Sequence, residues 1–256
     1  MQNWYDLPTY YDVSFSHEMS EELAFLKAVF NQYCNSKKTE LLEPACGTGR
    51  LMTPLIRAGY DCTGFDLNEI ALDYLRKRLK RNRLKANIFN GDMESFHVKP
   101  DTFDAAFCTV DTFRHLLTQN QAEQHLVRVA KALKKNGIYV LGLHLVPDTG
   151  LSNKVTCWTA KRGRLTVKST MTMIKMDKKK RMETLKVVLK PQVINKKQSY
   201  TSVYQLRTYT LKQLMKLLDK ISIFEIVNAY DEFYDISRPA TINSKSEYVV
   251  LLLRKK

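Results

Sequence analysis

Leu41–Leu51 reads LLEPACGTGRL, with two glycines, Gly47 and Gly49, directly behind an apolar run. A turn of this kind lets backbone approach a ligand closely, and three ligand classes compete for it. A triphosphate loop needs GxxxxGK[ST], but counting on from Gly47 reaches Met52 and Thr53 without a lysine. A dinucleotide turn needs a third glycine where Met52 stands, and Pro44 and Cys46 make the loop less open than a pyrophosphate cradle. What remains is a strand-to-helix turn led by an acid, Glu43. A second acid, Asp66, stands about 20 residues on, the spacing at which an acid meets ribose hydroxyls.

Outward from this turn, strands and helices alternate up to about Leu145. Residues 18–34 predict a helix, with Leu23, Leu26, Val29, Phe30 and Tyr33 on one stripe. TELLE (39–43) predicts the strand before the glycine turn, and a helix follows near Arg50–Ala58, stopped by Gly59. DCTGFD (61–66) leads into a helix through Leu84, and ANIFN (86–90) is the next strand. FDAAFC (103–108) precedes a helix from about Gln119 to Lys134, and an Asn136-Gly137 turn opens a strand over 137–145. From Ser152 to Thr208 the period becomes two, with strand-like stretches at 165–176, 182–190 and 199–207. Thr210 and Gln213 fit a capping box for a last helix, followed by strands FEIVNAY (224–230) and YVVLLLR (248–254). The expected fold class is α/β: a Rossmann-like, seven-stranded, mostly parallel sheet with helices on both faces, and an antiparallel β insertion after strand 5. One domain, 1–256, divides into an N-terminal cap helix region (1–38), a core (39–150), the insertion (151–209) and the end of the core sheet (210–256).

Charge is unevenly spread. The net charge is +15, yet residues 1–75 hold five Lys/Arg against eleven Asp/Glu, leaving 36 against 15 for the rest. The densest run, RKRLKRNRLK (76–85), reads as a solvated helix end leading away from any ligand edge, where cations suit the helix dipole. The overall excess keeps nucleic acid open as a partner. No apolar run approaches the ~20 residues that span a bilayer. The N-terminus lacks the basic and apolar regions of a secretory signal. Five scattered cysteines without a CxxC pair suggest reduced thiols, no zinc site and a cytoplasmic location.

An acid beside the glycine turn favours a cationic ligand group, and one acid at ribose spacing favours a nucleoside. S-adenosylmethionine combines an ammonium, a sulfonium and a ribose without phosphate. LLEPACGTGRL resembles the first motif of class I S-adenosylmethionine-dependent methyltransferases, near ExxCGxG. GFDLNEIAL resembles their second motif and NGDM their third. FDAAFCTVDTFRHL is similar to the segment after strand 4 in the glycine N-methyltransferase-like and sugar N-methyltransferase-like branches, and ALKKNGIYVLGLHL to the segment written ALxPGGxxxL. The five motifs cover 39–145 in order. Lys135-Asn136-Gly137 departs from the usual Pro-Gly-Gly, and Asp111 stands where some relatives carry asparagine.

The resemblance implies a role for each matched position. Glu43 would hold the methionine ammonium, and the backbone of Ala45, Cys46, Gly47 and Gly49 would approach the cofactor. Asp66 would take the ribose hydroxyls, with Leu67 packing on adenine. Its removal is expected to weaken cofactor binding and to leave the cofactor-free fold little changed. Asp92 would accept from the adenine amino group and Met93 would offer its N–H. Cys108 and Thr109 would lie beneath the sulfonium end, and Tyr11 would close over the methionine end.

Methyl transfer from a sulfonium needs alignment and exclusion of water, and a hydroxyl or ammonium acceptor also needs a base. His115 and His144, the latter at the carboxyl end of strand 5, are the candidates. No Asp/Glu/His cluster suggests a metal-dependent enzyme. The [DNS]PP[YFW] signature of DNA amino-methylating enzymes is absent from CTVDTF, and Cys157, though after Thr156, lies in the insertion. The expected reaction is therefore methylation of N or O on a small molecule, with the insertion as a lid. The alternatives are an RNA- or protein-directed methyltransferase using the basic surface, or a non-catalytic protein that binds cofactor or nucleic acid.

Overall fold

The structure, a computed structural model, describes residues 3–16, 19–34, 38–150, 155–194 and 196–256. The chain opens with a 3-10 turn (Trp4–Asp6), helix α1 (Pro8–Ser14) and helix α2 (Met19–Tyr33). The core follows as β1 (Glu40–Pro44), α3 (Met52–Arg57), β2 (Asp61–Asp66), α4 (Glu69–Arg81), β3 (Asn87–Asn90), β4 (Phe103–Cys108), α5 (Gln119–Ala132) and β5 (Leu133–His144). Next come β6 (Val155–Arg162), β7 (Leu165–Asp177), β8 (Met182–Val193), the short β9 (Lys196–Lys197) and β10 (Tyr200–Arg207). Helix α6 (Leu211–Ile221), β11 (Phe224–Tyr230) and β12 (Tyr248–Lys255) end the chain.

Seven strands form one sheet in the order β11-β12-β5-β4-β1-β2-β3. Pairings among β3, β2, β1, β4 and β5 are parallel, whereas β12 runs antiparallel to β5 and β11. The sheet is buried on both faces, which is why β4 reads as an unbroken apolar run rather than an alternation. Leu42, Ala106 and Cys108 pack into one layer, and their neighbours Leu41, Ala105 and Phe107 into the other. Strand order reverses between β1 and β4, the point at which open α/β sheets bind ligands beyond their carboxyl ends. Glu43, Asp66, Cys108 and His144 all stand at those ends.

The second sheet, in the order β10-β8-β7-β6, is antiparallel throughout. Its inner face holds Ala160, Val167, Val187 and Leu189 and packs on Trp4 and Val13 of the N-terminal segment. Among the described residues, no helix is long and apolar enough to cross a membrane.

Three local expectations are corrected. Strand β6 carries no clean alternation, because only Trp158 and Ala160 turn inward, so period two does not reveal it. The Asn136-Gly137 pair does not open β5. The strand starts at Leu133, and the pair forms a bulge within it, with Asn136 left-handed at φ 62° and a register shift against β4. Helix α4 ends at Arg81 rather than Leu84, since Asn82 turns its amide onto the Arg78 carbonyl and Arg83 is left-handed.

Candidate active site

The glycine turn is held in shape by backbone. Ala45, Gly47 and Gly49 all adopt positive φ (52°, 50° and 69°). A Cβ on Gly49 would lie 2.3 Å from Leu75 Cδ1, so glycine is needed there for packing as well as conformation. The Cys46 N–H donates to the Phe65 carbonyl (2.9 Å), which ties the loop to the end of β2. Gly47 N–H donates to Asp66 Oδ2 (2.8 Å) and Asn68 N–H to Asp66 Oδ1 (2.7 Å). Burial raises the Asp66 pKa despite these donors. Asp66 is thus a structural acceptor too, and its loss would leave two backbone N–H groups without their acceptor.

Glu43 is buried at 9% exposure, and its Oε2 has no hydrogen-bond partner among the described residues. Burial pushes its pKa up to about 8, against the pull of the Arg50 guanidinium. A buried carboxyl with a free oxygen is suited to a cationic donor, which would bring it into its ionised form. With Asp66 at ribose spacing, these residues fit the S-adenosylmethionine that the resemblance implies.

Two buried charge clusters flank the turn, and sequence reasoning missed both. Glu22 of α2 is 1% exposed, pairs with Arg50 (2.7 Å) and accepts from the Thr109 hydroxyl. Its signal was legible, because Glu22 lies on the apolar stripe of Leu26 and Val29. Asp12 of α1 is 2% exposed and gathers Arg78 of α4, Arg162 of β6 (2.6 Å) and the Thr48 hydroxyl (3.0 Å). Arg78 Nη1 also donates to the Thr48 carbonyl (3.1 Å) inside the glycine turn. The reading of 76–85 as wholly solvated is corrected at this position. Tyr11, half-buried beside Trp4, Tyr5 and Phe15, has its pKa raised to about 12 by burial, with the Arg50 cation opposing.

On the adenine side, Leu67 is 67% exposed at the end of β2. Asp92 Oδ1 caps its own turn by accepting from Glu94 N–H (3.1 Å), and the Met93 carbonyl meets His125 Nδ1 (3.1 Å). Cys108 and Thr109 are buried at the end of β4.

Beyond β4 the chain makes two successive left-handed residues, Val110 (φ 53°) and Asp111 (φ 66°). This is a strained backbone for a β-branched residue, and such strain concentrates at functional turns. Asp111 binds His144 twice, through the backbone N–H (2.8 Å) and ring Nδ1 (2.8 Å). Burial opposes charge on both, but the Arg114 cation holds the Asp111 carboxyl far below the usual range. Asp111 in turn raises the His144 pKa. Arg114, 4% exposed, bridges Asp111 (3.1 Å) and Glu183 of β8 and donates through Nε to the Arg207 carbonyl (3.0 Å). His115 differs from His144: its Nε2 meets the Tyr5 hydroxyl (2.9 Å), its ring stacks with Tyr204, and burial lowers its pKa to about 4.

A family model described as "Methyltransferase domain" matches residues 41–137. The chain is 26% identical over 153 residues to the dTDP-3-amino-3,4,6-trideoxy-alpha-D-glucopyranose N,N-dimethyltransferase of Streptomyces venezuelae, covering 60% of this chain and 62% of that protein. It is 25% identical over 117 residues to the ubiquinone biosynthesis O-methyltransferase of Rickettsia conorii (45% of this chain, 39% of that one). The chain spans about half the length of the curated relatives it matches first. A solved S-adenosylmethionine-dependent methyltransferase from Clostridium acetobutylicum superposes with a TM-score of 0.76 at 16% identity, over 93% of this chain and 92% of that one.

Proposed function

We propose that the chain is a class I S-adenosylmethionine-dependent methyltransferase, which the methyltransferase-domain match at 41–137 and the shared fold support, and that it methylates a nitrogen or oxygen atom of a small molecule. The observation that carries this reading is the Asp111–His144 pair at the carboxyl ends of β4 and β5, beside a glycine turn where Glu43 Oε2 has no donor among the described residues.

When bound, the cofactor supplies a sulfonium methyl that takes the acceptor's lone pair in line, the carbon–sulfur electrons remaining on sulfur. Glu43 accepts from the methionine ammonium, with Tyr11 closing over that end. Asp66 accepts from the ribose diol while keeping its two backbone donors. Leu67 covers the adenine, Asp92 and Met93 meet its edge, and Cys108 and Thr109 floor the reacting end. His144, its Nδ1 engaged by Asp111, takes the acceptor's proton at Nε2. Asp111 fixes the tautomer and stabilises the resulting imidazolium. His115 is a positioning residue, neutral and held within the aromatic cluster. The insertion sheet reaches this end through Glu183 and Tyr204 and acts as the lid.

Only neutral His144 accepts a proton. Because Asp111 raises its pKa, turnover should rise with pH through that raised value. Asp111→Asn should move this limb to lower pH, and His144→Gln should abolish it. The test is a pool of small metabolites and a pool of RNA, each incubated with methyl-labelled cofactor. Label in the metabolite pool with the stated pH shift supports the reading, and a pH limb that stays where it is in both variants refutes the base.

One observation favours a second reading, an RNA-directed enzyme. Residues 151–209 hold fifteen Lys/Arg against two acids, and Lys168 lies directly opposite Lys190 across β7 and β8. Like charges in that register repel unless an anion covers them. Label in the RNA pool, with a steep salt dependence of binding, would favour this reading.

A further inference from the structure

Behind the acceptor end, Arg181, Arg207 and Tyr209 form a cluster that nothing in the methyl-transfer site uses. Arg181 immediately precedes β8, Arg207 ends β10, and Tyr209 stands just ahead of the Thr210 cap of α6. Both guanidinium groups lie over the face of the Tyr209 ring, at 4.9 and 5.7 Å from its centroid. The two cations are therefore neighbours. They also share one acceptor, Gln119 Oε1 at the start of α5, at 3.5 Å from Arg181 Nη1 and 3.0 Å from Arg207 Nη2. Their other bonds go to neutral carbonyls: Thr208 for Arg181 and Leu117 for Arg207.

Three donors in this cluster are left over. Among the described residues, Arg181 Nη2, Arg207 Nε and the Tyr209 hydroxyl are each buried with no hydrogen-bond partner. Arg207 is 7% exposed and Tyr209 is fully buried. Among the described residues, neither arginine has a carboxylate partner. Burial, and then the charge of Arg207, depress the Arg181 pKa. Two adjacent like charges, one buried and one half-buried, with spare donors are costly to hold together unless an anion joins them. The amino ends of α5 and α6, both longer than two turns, add their positive partial charge to the same place.

We propose that Arg181, Arg207 and Tyr209 form a binding site for a phosphate group. A tetrahedral oxyanion has the acceptor oxygens to take all three spare donors, and planar guanidinium groups match phosphate bidentately. The site lies one residue contact from the reaction end, because the Arg207 carbonyl accepts from Arg114, which holds Asp111. The proposal does not rest on the methyl-transfer reading, since the three donors are unpartnered whatever reaction runs beside them.

The test uses the full chain without cofactor and inorganic phosphate as the probe, followed by phosphorus NMR line broadening and calorimetry. Saturable binding is expected, weakened about tenfold or more in Arg181→Gln, the fold-change that loss of one charge-assisted hydrogen bond gives. Tyr209→Phe should weaken it by a smaller factor, and acetate should not compete. Arg207→Gln is the more deeply buried variant; if it fails to fold, half-buried Arg181 carries the test. Phenyl phosphate distinguishes the source: if it competes, the site takes a phosphate carried by a larger molecule, and if not, the free ion. No saturable phosphate binding, or binding unchanged in Arg181→Gln, overturns the proposal.

Discussion

The cofactor end and the acceptor end of the sheet are built by different means. Beside β1 and β2, the turn is shaped chiefly by backbone and local contacts, such as Gly47 to Asp66 across 19 residues, and among the described residues only Arg78 and Asp12 reach its Thr48 from further off, across 30 and 36 residues. Beside β4 and β5, the contacts are buried charge pairs between distant segments: Arg114 meets Glu183 across 69 residues and Arg207 across 93. A local turn must be written in residue types that can make it, so its glycines and acids are visible in order. A long-range pair needs only two charges that the fold later brings together, and no spacing records it.

The largest effect should come from cutting the long-range side. Arg114→Ala leaves Glu183 without its cation and Asp111 with His144 alone, and breaking a buried pair in this way costs about 3–5 kcal/mol. Urea denaturation should show that loss, with cofactor affinity in the folded fraction little changed. A loss under about 1 kcal/mol, in the range of exposed ion pairs, would mean that charge does not hold the acceptor end together.

On the local side, Asp66→Ala should cost less in folding and more in binding. Hydrogen bonds to a charged group contribute roughly 1.5–3 kcal/mol each, so losing both ribose bonds should weaken S-adenosylhomocysteine binding by at least ~2 kcal/mol, about 30-fold. Because Gly47 and Asn68 N–H also lose their acceptor, cofactor-free stability should fall by about 1–2 kcal/mol. Calorimetry within threefold of wild type would remove the ribose role and the register of the whole site.

These two variants also mark how far the sequence is legible. The seven core strands along the chain, the glycine turn and the placing of Asp66 follow from period and spacing, whereas the order of those strands across the sheet does not. Arg114 does not, because it sits in an irregular stretch and its partner Glu183 lies in a segment that reads only as alternating strand. Glu22 stands between these cases. Its charge on an apolar stripe announces a buried partner, though not that the partner is Arg50. Asp12 and Arg78 were hidden by their neighbours, a short helix in one case and a solvated basic run in the other.

Glu43 sharpens the comparison through pH. Its folded pKa near 8 exceeds the ordinary carboxylate value, so the folded protein binds the extra proton. Cofactor-free stability should therefore fall as pH rises from about 4.3 towards 8, and Glu43→Gln should flatten that slope. An incoming ammonium requires the carboxylate, so binding S-adenosylhomocysteine at pH 7 should release close to one proton. Calorimetry in buffers of different ionisation enthalpy measures this release. If Glu43→Gln releases as much as wild type, the ammonium role belongs to another residue.

The smallest effects lie in the basic run of α4, and there the two kinds of construction meet within one helix. Lys77, Lys80 and Arg81 are exposed, whereas Arg78 turns inward to Asp12 and to the Thr48 carbonyl of the glycine turn. Reversing Lys77, Lys80 and Arg81 together should leave stability within about 0.5 kcal/mol per site and cofactor affinity unchanged, as for ordinary surface substitutions. Reversing Arg78 alone should lower both, because it places an acid against buried Asp12 and withdraws a donor from the turn. The pair of titrations with S-adenosylhomocysteine separates the cases cleanly. Equal loss in the triple variant and in Arg78→Glu would mean that the run acts through its general field, and that the glycine turn does not depend on this one long-range contact.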